Sequence, residues 1–177
     1  MEFGEAWGGI LDEVRETLAA VGEEQIESLC DLMAGARAVF VAGEGRSGLV
    51  GRCFAMRLTQ LGLSAHFVGE TTTPRLEAGD VLLAISGTGE TALSCTAARL
   101  AEAAGGTVAA LTAAGRSTLA GIATLAVVIP AGGPSAQYGG SLFEQSALIA
   151  LDAVALMLQR RLGISGESMD TRHANIE

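Results

Sequence analysis

Residues 81–91 read VLLAISGTGET, and this stretch indicates how the chain folds. Five consecutive apolar residues, Val81 to Ile85, stop abruptly, and three hydroxyl residues and two glycines follow within six positions. Residues 92–104 then have the apolar spacing of a helix. A strand that is apolar at every position is covered on both faces, as strands of parallel sheets are. We therefore predict a buried strand, a polar loop and a helix in direct succession.

The same succession recurs along the chain. Each short apolar run is followed by glycine or hydroxyl residues, and most are then followed by an amphipathic stretch. The alternation predicts an α/β fold in three layers, with a five-stranded parallel sheet in order 2-1-3-4-5 flanked by helices. We expect one domain over residues 1–177, made of an N-terminal helix with a break near Gly22, a core and a polar tail. The predicted strands are 38–42, 65–68, 81–85, 107–111 and 125–129, and the three parts are 10–34, 38–162 and 163–177.

Composition limits the partners of the chain. The net charge is −9 and no lysine occurs, which argues against nucleic-acid or anionic-membrane binding, since clustered Lys and Arg supply that attraction. The N-terminus carries acids where a signal peptide carries bases, and no apolar run approaches the length of a membrane span. Cys30, Cys53 and Cys95 show no metal-ligand spacing, so we expect buried, reduced thiols. These features predict a cytoplasmic protein.

The predicted strand order also indicates where a ligand binds. In an open parallel sheet, ligands bind beyond the carboxyl ends of the strands where the order reverses, here between strands 1 and 3. The loops that meet there are GEGRSG at 43–48 and SGTGET at 86–91, and each opens a helix. Helix N-termini present unpaired N–H groups to anions, so we expect a phosphate there. The alternative is that the hydroxyls only cap helices and the glycines only make turns.

Two other kinds of phosphate-binding loop are alternatives for the same residues. A P-loop is excluded, because the chain has neither GxxxxGK[ST] nor any lysine. GEGRSG does fit the dinucleotide pattern GxGxxG, and Glu70 lies 22 residues beyond Gly48, near the expected place of a ribose-binding acid. That interpretation leaves SGTGET without a role and leaves little chain for a substrate domain. A dinucleotide-binding module is therefore the weaker alternative.

Several motifs together carry a resemblance to a known family. The chain resembles the sugar-isomerase (SIS) domain family, and within it the 6-phospho-3-hexuloisomerases. Thr88 stands where serine is frequent, and residues 137–140, QYGG, replace the more usual QPMG. The motifs, in the order and spacing of the family, are GEGRSGLVGRCFAMRL at 43–58, VGETTTP at 68–74, AISGTGET at 84–91, GSLFEQ at 140–145 and RHANIE at 172–177.

The resemblance implies an activity and a set of ligand contacts. The implied reaction interconverts D-arabino-hex-3-ulose 6-phosphate and fructose 6-phosphate, with no metal or nucleotide cofactor. Arg46 is placed to reach the phosphate or the sugar hydroxyls, although an ion pair with Glu44 or Glu70 is an alternative role. The implied substrate-binding residues are Gly45, Arg46, Ser47, Ser86, Gly87, Thr88, Gly89 and Thr91.

Glu144 is the predicted catalytic base. Moving a carbonyl from C3 to C2 requires one proton to leave C2 and one to reach C3, which a single base can perform through an enediol or enediolate. Glu144 lies in the first turn of the last long helix, within the SLFEQ match. By position alone, a glutamate there would merely complement the helix dipole.

His173 is the second catalytic candidate. The other histidine, His66, falls within strand 2, where we expect it to be packed. The resemblance implies that a histidine from one subunit completes the site of a neighbour, where it moves protons between O2 and O3 or assists ring opening. We therefore predict a homo-oligomer, with a tetramer favoured, that binds a small sugar phosphate. A non-catalytic sugar-phosphate-binding regulatory module is the main alternative.

Overall fold

A computed structural model describes residues 1–176 of the chain. Its core is a five-stranded sheet in the order β2-β1-β3-β4-β5, and every neighbouring pair is parallel. This confirms the predicted fold class and strand order. The strands are β1 Val39–Gly43, β2 Ala65–Phe67, β3 Val81–Ile85, β4 Thr107–Thr112 and β5 Leu125–Val128.

Helices cover both faces of the sheet. The predicted N-terminal helix is two helices, α1 and α2, and Gly22 is the N-cap of the second. Helices α2, α3 and α6 pack on one face, with α1 against α6, while α4 and α5 pack on the other. The helices are α1 Phe3–Ala19, α2 Glu23–Gly35, α3 Gly45–Gln60, α4 Ala92–Ala103, α5 Thr118–Ile122, α6 Ser141–Arg161 and α7 Gly166–Asp170.

The central strand β3 shows why the sequence is apolar at every position. Leu83 and Ile85 point to the core beneath α2, α3 and α6, whereas Leu82 and Ala84 point to the core beneath α4 and α5. All four side chains are buried, because successive residues of a strand face opposite sides of the sheet. Small side chains keep the layers close: a Cβ added at Gly51 of α3 would lie 3.0 Å from Val41 Cγ1.

The cysteine prediction is only partly right. Cys30 and Cys95 are buried, but Cys53 is exposed. Cys53 lies on the outer side of α3, because the next two residues, Phe54 and Ala55, turn into the core. His66 is partly buried and contacts the Phe40 ring at a centroid distance of 5.3 Å, so the expectation that it packs in strand 2 is confirmed.

Helix α6 is long and apolar enough, by length and composition alone, to cross a membrane. The prediction that no apolar run approaches the length of a membrane span applies only to uninterrupted runs. Helix α6 is not uninterrupted, because it carries Glu144 and Asp152. Half of its most apolar window is buried against the rest of the fold. Its buried side chains, among them Leu151 and Val154, belong to the same core as β1 and β3, so α6 is the core helix of the fold.

A partly buried ion pair lies at the end of the sheet opposite the two glycine- and hydroxyl-rich loops. Asp80, directly before β3, is fully buried and accepts hydrogen bonds from Arg37 Nε at 2.9 Å and Nη2 at 2.8 Å. It also accepts one from the backbone N–H of Glu77 at 2.8 Å. Burial alone would raise the pKa of Asp80, but the hydrogen bonds from Glu77 and Arg37 outweigh it, so the pKa lies below its ordinary value of 3.8.

Replacing this carboxylate tests how much the pair stabilises the sheet. We expect Asp80→Asn to lower the free energy of unfolding by about 1.5–3 kcal/mol, the usual cost of losing charged hydrogen bonds. Because folding depresses the pKa, the difference from wild type is full above pH 3.8 and is lost as pH falls through the folded-state pKa. Thermal unfolding followed by circular dichroism between pH 3 and pH 7 measures it.

Glu77→Gln is the matched control. Glu77 pairs with the same guanidinium at 3.2 Å, but its side chain is 58% exposed, so its loss changes little. Equal stability of Asp80→Asn and Glu77→Gln at pH 7 would show that the Arg37–Asp80 pair contributes no more than a surface pair.

Candidate functional site

A cavity of about 170 Å³ lies beyond the carboxyl ends of β1 and β3. The two strands pair in register, with Gly43 opposite Ile85, so the loops that follow them start side by side. The loop before α6 closes the third side through Gly140. The cavity is smaller than the 300–1,000 Å³ typical of drug-sized ligands, which suits a small ligand. The lining residues are Glu44, Ser47, Ile85, Ser86, Gly87, Thr88, Thr91, Gly140, Phe143 and Glu144.

Three helices begin at this cavity with their N-termini uncapped by side chains. The N-cap residues are Glu44 for α3, Thr91 for α4 and Gly140 for α6. None of these three makes a side-chain capping hydrogen bond to the described residues, 1–176. By contrast, Ser117 and Ser165 cap the short helices α5 and α7. The first N–H groups of an α-helix have no intrahelical acceptor. Three sets of such donors around one cavity make it suited to an anion, and for Thr91 the capping alternative is wrong.

The hydroxyls of the SGTGET loop are organised among themselves. Ser86 is buried, and its Oγ lies 2.9 Å from Thr91 Oγ1 and accepts a hydrogen bond from the Gly89 N–H at 3.1 Å. Thr88 is exposed, and its Oγ1 accepts a hydrogen bond from the Glu90 N–H. Ser86 therefore shapes the loop from within, while the hydroxyls of Thr88 and Thr91 are more accessible to a ligand.

Two glycines of this loop are required by its geometry. Gly89 has φ +67°, a left-handed conformation, and an added Cβ would lie 2.1 Å from Ser117 Oγ. At Gly87 an added Cβ would lie 3.0 Å from the Phe143 ring. These close approaches pack the loop between α5 and α6, which fixes the orientation of its N–H groups.

Arg46 and Glu144 form an ion pair at the mouth of the cavity. Arg46 Nε lies 2.8 Å from Glu144 Oε2, and Arg46 Nη1 donates to Ser141 Oγ at 3.2 Å. The Glu144 side chain is only 17% exposed, whereas that of Arg46 is 57% exposed. Both alternatives for an Arg46 ion pair, with Glu44 or with Glu70, are therefore wrong. A pairing with Glu144 was not predicted, because residues 46 and 144 lie far apart in the sequence.

Glu70 lies in a different environment. It forms an ion pair with Arg52, whose guanidinium stacks 3.8 Å from the centre of the Phe67 ring. Glu70 and Arg52 line a separate cavity beside β2. A ribose-binding acid would instead present its carboxylate to the first glycine loop. This arrangement disfavours the dinucleotide interpretation.

His173 lies far from the cavity of its own chain. Its neighbour Arg172 donates to the carbonyl oxygen of Gln60, the last residue of α3. The cavity is at the first residue of α3. A helix of 16 residues spans about 24 Å, so the two ends of α3 are about that far apart. His173 is exposed, and its Nδ1 lies 3.1 Å from the carbonyl oxygen of Ala174.

The structure thus brings together most, but not all, of the predicted site residues. Ser47, Ser86, Gly87, Thr88, Thr91 and Glu144 line one cavity. Arg46 contacts Glu144, and Gly45 lines the adjoining cavity of about 380 Å³. The Gly89 N–H donates a hydrogen bond to Ser86 Oγ. His173 is not among them. Glu44, Gly140 and Phe143 were missed, although all three lie within or beside the quoted motifs, and this proximity was the available signal.

Metal binding is not favoured by any side-chain cluster in the described part of the chain. Residues 1–176 contain no group of three or more His, Cys, Asp and Glu placed to hold an ion. The polar atoms around the cavity are instead hydroxyls, backbone N–H groups, one guanidinium and the carboxylates of Glu44 and Glu144.

Known proteins resemble this chain along most of its length. The SIS domain family model matches residues 32–157. A protein of Mycobacterium gastri named 3-hexulose-6-phosphate isomerase is 44% identical over 175 residues, covering 95% of this chain and 88% of the relative. A Bacillus subtilis protein of the same name is 40% identical and covers 95% of each chain.

A solved structure agrees with both sequence relatives. It is the crystal structure of a hypothetical protein from Methanococcus jannaschii, for which the molecular function of 3-hexulose-6-phosphate isomerase was inferred from that structure. Its TM-score is 0.88 at 33% identity, with 98% of this chain and 99% of that chain covered. Fold, motifs and relatives agree, and the chain belongs to the SIS domain family.

Proposed function

We propose that this chain is a 3-hexulose-6-phosphate isomerase, which interconverts D-arabino-hex-3-ulose 6-phosphate and fructose 6-phosphate. One observation carries the proposal: the carboxylate of Glu144 lines the same small cavity as the hydroxyl loop at 86–91. An anion-binding loop and a shielded base are the two elements that a sugar-phosphate isomerase requires. The activity named for the relatives at 40–44% identity supports the same assignment.

The proposed phosphate site lies among the three helix N-termini. The chain carries a net charge of −9, so its overall charge repels a sugar phosphate. Local donors must therefore supply the attraction: the N–H groups at the starts of α3, α4 and α6, and the hydroxyls of Ser47, Thr88 and Thr91. Ser86 supports these donors by holding the Gly89 N–H and the Thr91 hydroxyl in place.

Glu144 transfers the proton in the proposed mechanism. From the 3-ketose, the carboxylate removes the proton on C2, and the electrons of the C–H bond form the C2–C3 double bond of an enediolate. A proton passes from O2 to O3, and Glu144 returns its proton to C3. The product is the 2-ketose, with every proton accounted for. A single base on one face of the intermediate performs both carbon transfers.

Arg46 orients this base. Its ion pair occupies Oε2 of Glu144, which leaves Oε1 for the substrate proton. A base that is held in one orientation loses less entropy on reaching the transition state. The same guanidinium lies at the mouth of the cavity, where it also contacts Ser141, so sugar hydroxyls or the phosphate can bind to its remaining N–H groups.

His173 acts, in this proposal, in the site of a neighbouring subunit. Its position at the far end of α3 from its own cavity supports a role in trans. The homo-oligomer that this requires, with a tetramer favoured, is supported by apolar side chains on the outer side of α6. Leu148, Ile149 and Leu156 are 36%, 44% and 48% exposed in the single chain.

The proposal also places the enzyme in the cytoplasm. All three cysteines are free. Free thiols are usual in compartments where glutathione and thioredoxin keep them reduced. The substrate is a small sugar phosphate, and no nucleic acid, membrane, metal or nucleotide takes part in the reaction as proposed.

Glu144→Gln tests the assigned base. The amide keeps the shape of the side chain but cannot accept the proton, so kcat falls by about 10²- to 10⁴-fold. Thermal stabilisation by fructose 6-phosphate remains, because the phosphate contacts are unchanged. A coupled assay for fructose 6-phosphate formation measures the rate.

Asp152→Asn, an exposed change further along α6, is the control for loss of one negative charge. Near-normal turnover by Glu144→Gln would remove Glu144 from the mechanism. Stabilisation of the wild-type chain by sugar phosphate without any turnover would instead identify a regulatory module.

Ser86→Ala tests the anion site. Without the Ser86 Oγ, the Gly89 N–H and the Thr91 hydroxyl lose the partner that holds them. We therefore expect KM to rise by about tenfold, equivalent to about 1.4 kcal/mol, with a much smaller change in kcat. Thr96→Ala, an exposed hydroxyl change on α4, should bind as wild type does.

Thermal shifts of the wild-type chain should show stabilisation by fructose 6-phosphate and none by NAD. Stabilisation by NAD alone would favour the dinucleotide module over the isomerase.

Co-expression of the Glu144→Gln and His173→Ala chains tests whether His173 acts in trans. If two subunits exchange His173, a hybrid of Glu144→Gln and His173→Ala chains contains one site with both native residues. Random pairing of equal amounts then restores about a quarter of the wild-type sites. If each chain uses its own His173, every hybrid site lacks one residue. Activity no higher than that of the separate variants would contradict the trans arrangement.

A further inference from the structure

Glu13, in the middle of α1, holds the loop that precedes α6. Its Oε2 accepts hydrogen bonds from Ser135 Oγ at 2.8 Å and from Gln137 Nε2 at 2.9 Å. Its Oε1 accepts one from the backbone N–H of Ala136 at 2.8 Å. Three consecutive loop residues therefore donate to a single carboxylate that lies more than 120 residues earlier in the chain.

The loop at 130–140 makes few hydrogen bonds of its own, among them Gln137 N–H to Ser135 Oγ at 3.0 Å. Four of its eleven residues are glycine, and Gly139 adopts a left-handed φ of +61°. Glycine loses more conformational freedom on ordering than any other residue, so such a loop orders only if external contacts compensate. Most of the loop is exposed, and the Glu13 carboxylate supplies three of its contacts.

The end of this loop belongs to the candidate site. Gly140 lines the cavity and is the N-cap of α6. Its carbonyl oxygen accepts the hydrogen bond from the backbone N–H of Glu144 at 3.0 Å, which is the first turn of the helix. The loop therefore runs directly into the first turn of α6, so its conformation acts on the backbone segment that carries Glu144.

We propose that Glu13 is a positioning residue: from α1 it fixes the 130–140 loop and thereby the placement of Glu144 over the substrate. This inference rests on the proposed function, because it assigns Glu13 a part in the isomerase reaction. Glu13 lies outside residues 32–157, the part of the chain that the SIS domain model matches. The N-terminal helix is thus a functional element of this enzyme.

The chemistry of the contact requires a carboxylate. An ionised carboxylate only accepts hydrogen bonds and has room for all three donors. A glutamine has one acceptor oxygen, and its NH₂ group would face N–H or O–H donors. Hydrogen bonds from the Ala136 backbone, Gln137 and Ser135, in that order of importance, lower the pKa of Glu13, so the group is ionised at neutral pH.

Glu13→Gln is the principal test, with Glu16→Gln as the matched control. Glu16 is exposed on the same helix and carries the same charge. We expect Glu13→Gln to lower kcat by about 10- to 100-fold, as misplacement of a reacting group by about an ångström does, while KM changes by less than about threefold. Amide hydrogen exchange should accelerate in residues 131–140 and stay unchanged in the 86–91 loop. Glu16→Gln should match wild type in all three measurements.

A second variant guards against a general loss of structure. Gln137→Ala removes one donor from the loop side and leaves α1 intact, so it should reproduce part of the kcat loss and of the faster exchange. Loss of thermal stability with unchanged kcat, or exchange no faster than in Glu16→Gln, would overturn the positioning role. An inactive wild-type chain would refute the proposed function instead, whereas faster loop exchange in Glu13→Gln would still establish the contact.

Discussion

The site depends on the N–H groups at the starts of α3, α4 and α6, which no N-cap side chain accepts. A parallel sheet in the order 2-1-3-4-5 brings the ends of β1 and β3 together, and each strand is followed by a helix that starts at that edge. Glu44, Thr91 and Gly140 do not cap their helices with side chains, so no capping side chain competes with a ligand for these donors. In the proposed function, these donors let a chain without lysine attract a phosphate in spite of its negative charge.

The remaining residues of the site pack around these three helix starts. Gly87 and Gly89 allow the hydroxyl loop to pack against Phe143 and Ser117, and Ser86 stabilises the loop from inside. Arg46 links the start of α3 to the start of α6 through Glu144. The proposed base is therefore held by the same helix ends that surround the proposed phosphate site.

The sequence predicted the sheet because its strands are apolar at every position and end at glycine or hydroxyl residues. Local pattern was sufficient to place Ser47, Ser86 and Thr88 at one edge. It could not predict contacts that depend on side-chain packing between distant segments, such as Glu13 with residues 135–137 or Arg46 with Glu144. The exposure of Cys53 was missed for a similar reason, since periodicity alone did not show which face of α3 is covered.

The position of a bound sugar phosphate tests the central claim most directly. A crystal structure with fructose 6-phosphate should place the phosphate within hydrogen-bond distance of N–H groups or hydroxyls from both the 43–48 and the 86–91 loops. C2 and C3 of the sugar should then lie beside the carboxylate of Glu144. A phosphate bound in the cavity of Arg52 and Glu70 beside β2, or a sugar whose C2 and C3 lie away from Glu144, would contradict the account.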